Sequence, residues 1–158
     1  MQRQIFQSSF SAPFGQLFIA ADETEIVRIS FREMEIPSGK TSVIDEAWRQ
    51  IFEYFAALRQ EFSLPLATVG TPFQRTCWNA LSDIPYGEVL TYKAVADKVG
   101  HPTACRAVAG ACARNPFPII VPCHRVVATN GLGGFAGGLE AKRFLLDLER
   151  RNVVRNRN

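Results

Sequence analysis

Residues 91–115 read TYKAVADKVGHPTACRAVAGACARN, and this stretch decides the fold of the second half of the chain. The pattern predicts one helix over 91–100 and a second over 103–115, with Pro102 in the turn between them. The second helix must end here because Pro116 disfavours helical backbone in the residue before it. Two short helices joined by a tight turn are typical of a helix-turn-helix.

The second helix of this pair is built from small residues, with Arg106 and Arg114 as its only long polar side chains. Reading a base sequence in the major groove requires Asn, Gln, Arg or Lys side chains at several positions, so sequence-specific readout is not expected. Small side chains let a helix approach another surface closely, and packing against a neighbouring helix explains them equally well. Cys105 and Cys112 would lie about 10 Å apart along the helix, too far for a disulfide, and we interpret both as packing residues.

Other predicted elements flank this pair. Residues 71–74 (Thr-Pro-Phe-Gln) form a capping box with proline at the first helical position, so a helix begins there and ends before the turn at 84–87. The apolar run over 117–121 predicts a buried strand. A glycine-rich loop follows, and a last amphipathic helix is predicted from Leu139 to about Arg151.

The first half of the chain predicts strands and one helix. Residues 16–22 and 25–32 are short β-rich runs separated by a polar turn, as in a hairpin. Residues 44–58 carry apolar side chains at three- and four-residue spacing, as in an amphipathic helix. Residues 1–68 contain no histidine and no cysteine. We therefore interpret this half as a scaffold.

The chain has 158 residues, of which 47% are hydrophobic and 21% are charged. This composition fits one domain of ordinary size or two small lobes, and it excludes a disordered tail, a collagen-like fibre and a cysteine-rich miniprotein. No apolar stretch approaches the roughly 20 residues that span a bilayer, and the opening MQRQIFQSSF lacks an apolar signal core. We expect a soluble, cytoplasmic protein with reduced cysteines.

The charge of the chain is unevenly divided. Residues 1–68 carry six basic and nine acidic side chains, whereas residues 69–158 carry twelve basic and six acidic ones. A basic half fits contact with a polyanion, because Lys and Arg gain affinity by releasing phosphate counterions. An ordinary solvated surface accounts for the same excess equally well.

The dipeptide Cys123-His124 is the one candidate for covalent chemistry. The nucleophile is the thiolate, and an ordinary thiol with a pKa of about 8.5 is mostly protonated at neutral pH. A histidine that takes the proton, itself held by a carboxylate, activates such a cysteine. Because neighbours in an extended chain point to opposite faces, contact between the two requires a turn or a bridging water. Zinc is not predicted, since the four cysteines form no CxxC pair.

Six short motifs lie between Thr71 and Glu149. They are PYGEV at 85–89, TY at 91–92, ACRAV at 104–108, NP at 115–116, PCHRVV at 122–127 and GGL at 137–139. Together they resemble the signature of the alkylguanine-DNA alkyltransferases, also called methylated-DNA–protein-cysteine methyltransferases. Residues 1–68 resemble that family only in size and in their strand–helix layout.

The resemblance implies a mixed α/β (α+β) fold in two domains. Residues 1–68 would form a small N-terminal α/β scaffold lobe, an antiparallel sheet plus a helix of the ribonuclease-H-like type. Residues 69–158 would form a helical, winged helix-turn-helix-like domain that binds DNA and carries the active site.

The resemblance also implies a single-turnover repair reaction. A guanine alkylated on O6, or a thymine alkylated on O4, leaves the duplex by base flipping, and its alkyl group moves to a cysteine. By motif position Cys123 is the acceptor, His124 is the base acting through a water, and Glu149 orients the imidazole. Asn115 would brace the active-site turn, and Tyr92 would protonate the ring as guanine leaves.

The same resemblance assigns residues to the DNA and to the flipped base. Arg106 would fill the gap in the base stack, a role that suits a planar cation on a closely packed helix. The implied DNA-binding residues are Arg106, Lys93, His101, Ala104, Gln74, Thr129 and Arg114. The implied alkylguanine pocket consists of Pro118, Val126, Phe135 and Ala136. Arg125 is expected to be a structural ion-pair partner.

The implied partner is double-stranded DNA that contains alkylated guanine, bound by a monomer without membrane contact. No cofactor and no metal are expected. The rival interpretations are a damage-sensing relative of the alkyltransferases that lacks the acceptor cysteine, a helix-turn-helix regulator, and a Cys-His hydrolase acylated on Cys123. A regulator would need polar groups on residues 104–114, and a hydrolase would have no use for a basic helix-turn-helix.

Overall fold

In the computed structural model, which describes residues 3–156, the first part of the chain is an antiparallel sheet with one helix packed on it. The strands β1 (Phe6–Ala12), β2 (Gly15–Ala21) and β3 (Ile26–Ser30) lie side by side in chain order. Helix α1 (Ser42–Phe55) begins after Thr41, whose hydroxyl accepts a hydrogen bond from the Ile44 amide at 3.1 Å.

The apolar pattern of the sequence explains this packing. Leu17 and Ile19 of β2 are fully buried, and so are the residues of α1 that recur at three- and four-residue spacing: Ile44, Ala47, Ile51 and Tyr54. The predicted hairpin is confirmed as β2 and β3, which pair antiparallel. Strand β1 was not predicted. Its sequence FQSSFSA has little apolar alternation, and its strand conformation depends on pairing with β2 over its whole length.

The second part of the chain is mainly helical. Its elements are α2 (Pro72–Ser82), β4 (Leu90–Thr91), α3 (Tyr92–Lys98), α4 (Cys105–Ala113), β5 (Val126–Val127) and α5 (Leu139–Asn156). The two short strands pair in parallel. The predicted capping box is confirmed, because Thr71 Oγ1 accepts from the Gln74 amide at 3.2 Å and Gln74 Oε1 accepts from the Thr71 amide at 3.0 Å.

The predicted helix pair corresponds to α3 and α4. Thr91 caps α3, its hydroxyl accepting a hydrogen bond from the Ala94 amide at 3.0 Å. Helix α4 begins at Cys105, two residues after the predicted Thr103, and has no side-chain cap. The Trp78 indole of α2 donates a hydrogen bond to the Ala111 carbonyl of α4 at 2.8 Å, which fixes these helices against each other.

The prediction of a buried strand over 117–121 is wrong. The segment is buried, but it forms a turn in which the Val121 amide donates to the Phe117 carbonyl at 2.8 Å. Prolines at 116 and 118 lack an N–H group and cannot support a strand ladder. Ile119 in this turn has φ +76°, a left-handed conformation that costs about 1–3 kcal/mol in a β-branched residue.

The chain divides into two compact units between Thr68 and Val69. Helix α5 extends to Asn156, five residues beyond the predicted end at Arg151. None of the helices within residues 3–156 is long and apolar enough to cross a membrane.

Candidate active site

Cys123 lies in a tight turn. Residues 123–125 form one turn of 3-10 helix directly after Pro122. The Cys123 amide donates to the Val121 carbonyl at 2.8 Å, and the Arg125 amide donates to the Pro122 carbonyl at 3.0 Å. The backbone is therefore not extended at the Cys-His dipeptide. The turn that contact between these two side chains requires is present.

Asn115 holds the segment that leads to this turn. Its Nδ2 donates to the Val121 carbonyl at 2.8 Å, and its Oδ1 accepts from the Phe117 amide at 2.9 Å. Both bonds are to backbone groups of the turn that precedes Cys123, and the Val121 carbonyl also accepts from the Cys123 amide. One side chain thus fixes the approach to Cys123.

His124 is fully buried and its ring is held from one side. The Nε2 atom lies 2.7 Å from Oε2 of Glu149, whereas Nδ1 has no hydrogen-bond partner among the described protein groups. Burial lowers the pKa of His124, against the opposing influence of Glu149. We assign the neutral tautomer with the proton on Nε2, donated to Glu149. Nδ1 is then the atom that can accept a proton.

Glu149 is shared between His124 and Arg125. The Arg125 guanidinium donates to its carboxylate through Nε at 2.8 Å and Nη2 at 3.0 Å, and the Gly87 amide donates at 3.1 Å. Burial alone would raise the pKa of Glu149, but the hydrogen bonds and charges of His124 and Arg125 lower it to about 2. The expectation that Arg125 is a structural ion-pair partner is confirmed.

A cavity of about 300 Å³ opens beside Cys123. Its lining includes Tyr92, Ala109, Cys112, Ala113, Gly134, Phe135 and Ala136. This volume is at the lower end of the range for small-molecule sites. Burial raises the pKa of the Cys123 thiol, while a hydrogen bond from Asn115 and the charge of Lys142 act to lower it. The thiol therefore needs a base before it can react.

Tyr92 reaches the cavity because Gly133 has no side chain. A Cβ at Gly133 would lie 2.6 Å from the Tyr92 hydroxyl oxygen, and the φ of +74° at this residue also favours glycine. Burial and the nearby Cys112 raise the pKa of Tyr92. The hydroxyl therefore keeps its proton at neutral pH and can donate it.

The other two predicted pocket residues, Pro118 and Val126, are buried around the active-site turn. Pro118 is bridged to Val121, and Val126 pairs with Leu90 of β4. Their contact with a flipped base stays a prediction. Phe135 lines the cavity with its ring 6.4 Å from the His124 ring, at 86°.

Most of the predicted DNA-binding residues are exposed: Arg106, Lys93, His101, Thr129 and Arg114. All except Thr129 lie on or between α3 and α4, or at the end of α4. Ala104 is half-buried at the start of α4, and Gln74 is half-buried with its carbonyl oxygen engaged in the cap of α2. Their contact with DNA stays a prediction.

Lys142 was not singled out by the sequence reasoning. It is fully buried in α5, and its ammonium donates to the Val126 carbonyl at 2.7 Å and to the Gly134 carbonyl at 3.0 Å. A signal was present, because Lys142 and Glu149 are seven residues apart and share one face of a helix. That face also carries the buried Leu145.

Cys112, interpreted as a packing residue, lines the cavity together with Cys123. Burial and the nearby Cys123 raise the pKa of Cys112 to about 12, so it stays a neutral thiol. Within residues 3–156, no three His, Cys, Asp or Glu side chains are grouped as metal ligands would be.

Comparison with known families covers both units. Residues 72–151 match the family described as 6-O-methylguanine DNA methyltransferase, DNA binding domain. Residues 5–68 match the family described as 6-O-methylguanine DNA methyltransferase, ribonuclease-like domain.

Individual relatives match along nearly the whole chain. The methylated-DNA–protein-cysteine methyltransferase of Methanosarcina acetivorans is 43% identical over 153 residues, covering 92% of this chain and 98% of the relative. The constitutive enzyme of the same name from Bacillus subtilis is 43% identical, covering 92% and 95%. The crystal structure of Mycobacterium tuberculosis OGT in complex with DNA superposes with a TM-score of 0.86 at 37% identity, covering 93% of this chain and 94% of that one. The predicted α/β fold class is confirmed by this likeness.

Proposed function

Since the chain belongs to the family of 6-O-methylguanine DNA methyltransferases, we propose that it repairs O6-alkylguanine in DNA by moving the alkyl group to Cys123. Its function is direct-reversal repair, and its partner is DNA. The observation that carries the residue assignment is the position of Cys123: it lines a cavity of about 300 Å³ and precedes a histidine held by a buried carboxylate. We further propose that O4-alkylthymine is a substrate, that the protein acts as a monomer and that it is cytoplasmic.

The first step is activation of the thiol. The proton of Cys123 passes through a water molecule to Nδ1 of His124, the ring nitrogen that has a free lone pair. Glu149 stabilises the resulting imidazolium and keeps the ring oriented. Because its partners lower the pKa of Glu149 to about 2, the side chain is a carboxylate at neutral pH.

The second step is the transfer itself. The sulfur attacks the alkyl carbon, the bond between this carbon and O6 breaks, and its electron pair stays on the guanine. The Tyr92 hydroxyl gives its proton to the guanine ring and regains one from solvent, and His124 releases to solvent the proton that it took from Cys123. Guanine leaves neutral, and Cys123 becomes a thioether. A thioether has no electrophilic centre that water could attack, so the protein acts once.

Access to the lesion requires that the base leaves the duplex. Extrusion costs a few kcal/mol, and the exposed Arg106 on α4 offsets part of this by occupying the gap in the stack. Helix α4 exposes no set of side chains suited to base readout, as expected for a protein that accepts a lesion in any sequence.

The alternative functions are not favoured. A damage sensor of this fold lacks the acceptor cysteine, whereas Cys123 is present and lines the cavity. A regulator would need base-reading side chains on α4, whose sequence CRAVAGACA offers only Arg106. A Cys-His hydrolase does not account for the match of both units to DNA methyltransferase families.

The test is transfer of an isotopically labelled methyl group from O6-methylguanine in duplex DNA, followed by peptide mapping. Label is expected on the peptide that contains Cys123 and nowhere else. Cys123→Ser should abolish labelling. Cys112→Ser, which removes the neighbouring thiol of the same cavity, should retain it. Label on Cys112, or none on the wild-type protein, would overturn the assignment.

A further inference from the structure

Lys142 is a buried charge without an acidic partner. Its side chain is fully buried, and its two hydrogen bonds are to carbonyl oxygens. No carboxylate within residues 3–156 forms an ion pair with it. Fully buried lysines are rare unless paired, because removing an ammonium from water is costly. The site should therefore supply a negative charge at some stage of the reaction.

The two carbonyls that Lys142 contacts belong to different walls of the active site. Val126 lies in β5, three residues after Cys123 and directly after its turn. Gly134 lies in the loop that lines the cavity next to Phe135. One ammonium group therefore connects the end of the turn that carries Cys123 to the loop that contains Gly134.

The anion is identified by elimination among the groups around Lys142. The Glu149 carboxylate is already hydrogen-bonded to the Arg125 guanidinium and to the His124 ring, and the neutral His124 ring is not an anion. Cys112 and Tyr92 also line the cavity, but neither is followed by a histidine that could take its proton, and Asn115 does not titrate.

The remaining group is the thiol of Cys123. The positive charge of Lys142 acts to lower the pKa of Cys123, and Cys123 in turn acts to raise the pKa of Lys142, which burial lowers. The two groups thus favour each other's charged form.

We propose that Lys142 is a positioning residue whose ammonium compensates the Cys123 thiolate as it forms while holding the two walls of the cavity together. Lys142 keeps its proton throughout, and no bond to it is made or broken. After transfer the thioether is neutral, and the ammonium is again held by carbonyls alone. The inference deepens the proposed function, on which it rests for the identity of the natural alkyl donor.

The test uses no DNA, so its failure is distinguishable from failure of the proposed function. Alkylation of Cys123 by iodoacetamide is followed against pH by peptide mapping. Lys142→Met keeps the length of the side chain without its charge. We expect the midpoint of the pH–rate curve to move to higher pH. The rate at pH 7 should be at least about tenfold lower than in wild type. Arg143→Met removes an exposed charge from the next residue of α5 and should leave the midpoint unchanged.

A merely structural role would alter the amplitude of reaction or the melting temperature but not the midpoint. An unshifted midpoint in a folded Lys142→Met protein would therefore overturn the proposal.

If that variant does not fold, the wild-type protein provides the same test. The chain has four lysines, so the carbon signal next to each ammonium can be followed by NMR through a pH titration. Capping Cys123 with methyl methanethiosulfonate prevents the thiolate from forming during the titration. The pKa of Lys142 should then be lower than in the uncapped protein, because the capped sulfur cannot become the anion that favours the charged ammonium. A pKa that is the same before and after capping would contradict the pairing.

Discussion

The Nε2 atom of His124 lies 2.7 Å from the carboxylate of Glu149, and neither side chain is exposed to solvent. This contact fixes the imidazole ring and leaves Nδ1, its other nitrogen, as the proton acceptor. The same carboxylate neutralises the buried Arg125. Glu149 therefore supports both the reaction and the stability of the fold.

Glu149→Gln should lower stability and slow transfer together. The amide preserves the shape of the side chain but leaves the Arg125 guanidinium buried without an anion, which costs about 3–5 kcal/mol. His124 also loses the charge that stabilises its protonated form. Denaturant unfolding and single-turnover kinetics measure the two effects. Glu140→Gln, on the exposed first turn of α5, should change neither.

Acid should remove the stabilisation that Glu149 provides. The pKa of Glu149 is about 2 in the folded protein and ordinarily 4.5, so its contribution is complete above pH 4.5 and is lost as the pH falls toward 2. The difference in unfolding free energy between wild type and Glu149→Gln should shrink over this window. A difference that stays constant down to pH 2 would show that the charge of Glu149 is not responsible.

Gly133→Ala should displace Tyr92 from the cavity. The added Cβ would lie 2.6 Å from the Tyr92 hydroxyl oxygen at a residue with φ +74°, which costs roughly 1–2 kcal/mol in strain alone. Transfer should slow about ten- to hundredfold, since small misplacements of reacting groups have effects of that size. Gly131→Ala is the matched control, because a Cβ there meets nothing within 4 Å. Equal transfer rates for the two variants would remove Tyr92 from the mechanism.

Arg106→Ala should separate base flipping from chemistry. Loss of a side chain stacked in the duplex costs roughly 1–3 kcal/mol, so repair of duplex DNA should slow about 10- to 100-fold. Reaction with free O6-methylguanine base should be unchanged, because no extrusion is needed. Arg143→Ala, another exposed arginine, should repair both substrates normally. Equal losses on both substrates would assign Arg106 to folding.

Binding to undamaged DNA should weaken steeply with salt and be nearly independent of base sequence. Each phosphate contact contributes about −0.9 to the slope of log K against log salt concentration. Lys93→Ala should reduce the slope by roughly one contact. Lys40→Ala, an exposed lysine of the first unit, should leave it unchanged. Salt-independent binding, or strong preference for one sequence, would contradict this account of the interface.

Local sequence signals were sufficient to predict where the helices that carry them begin. The capping box at Thr71 and the predicted helix start at Thr91 place the beginnings of α2 and α3 to within a residue, whereas α3 ends at Lys98, two residues before the predicted end. The segment over 117–121 was misjudged, because its apolar residues indicate burial but not conformation. Two prolines decide that it is a turn, together with the hydrogen bonds that Asn115, outside the segment, donates to Val121 and accepts from Phe117.

The reactive dipeptide could be found from sequence, but its surroundings could not. The pairing of His124 with Glu149 spans 25 residues and was implied by family resemblance alone. Lys142 and Cys112 have no local motif, and their place beside Cys123 depends on how α5 and α4 pack in the folded unit. Long-range packing of this kind leaves only a weak periodic trace in a single sequence.

The most direct test of the account is the stoichiometry of transfer, measured by intact mass with duplex DNA containing O6-methylguanine in excess. A thioether on Cys123 cannot be hydrolysed, so each protein molecule should gain one methyl group and then stop, with lesion repair reaching a plateau at one equivalent. Cys123→Ser should gain none, while Cys112→Ser should reach the same plateau as wild type. Sustained turnover beyond one equivalent, or a wild-type mass that stays unchanged while lesions disappear, would contradict transfer to Cys123.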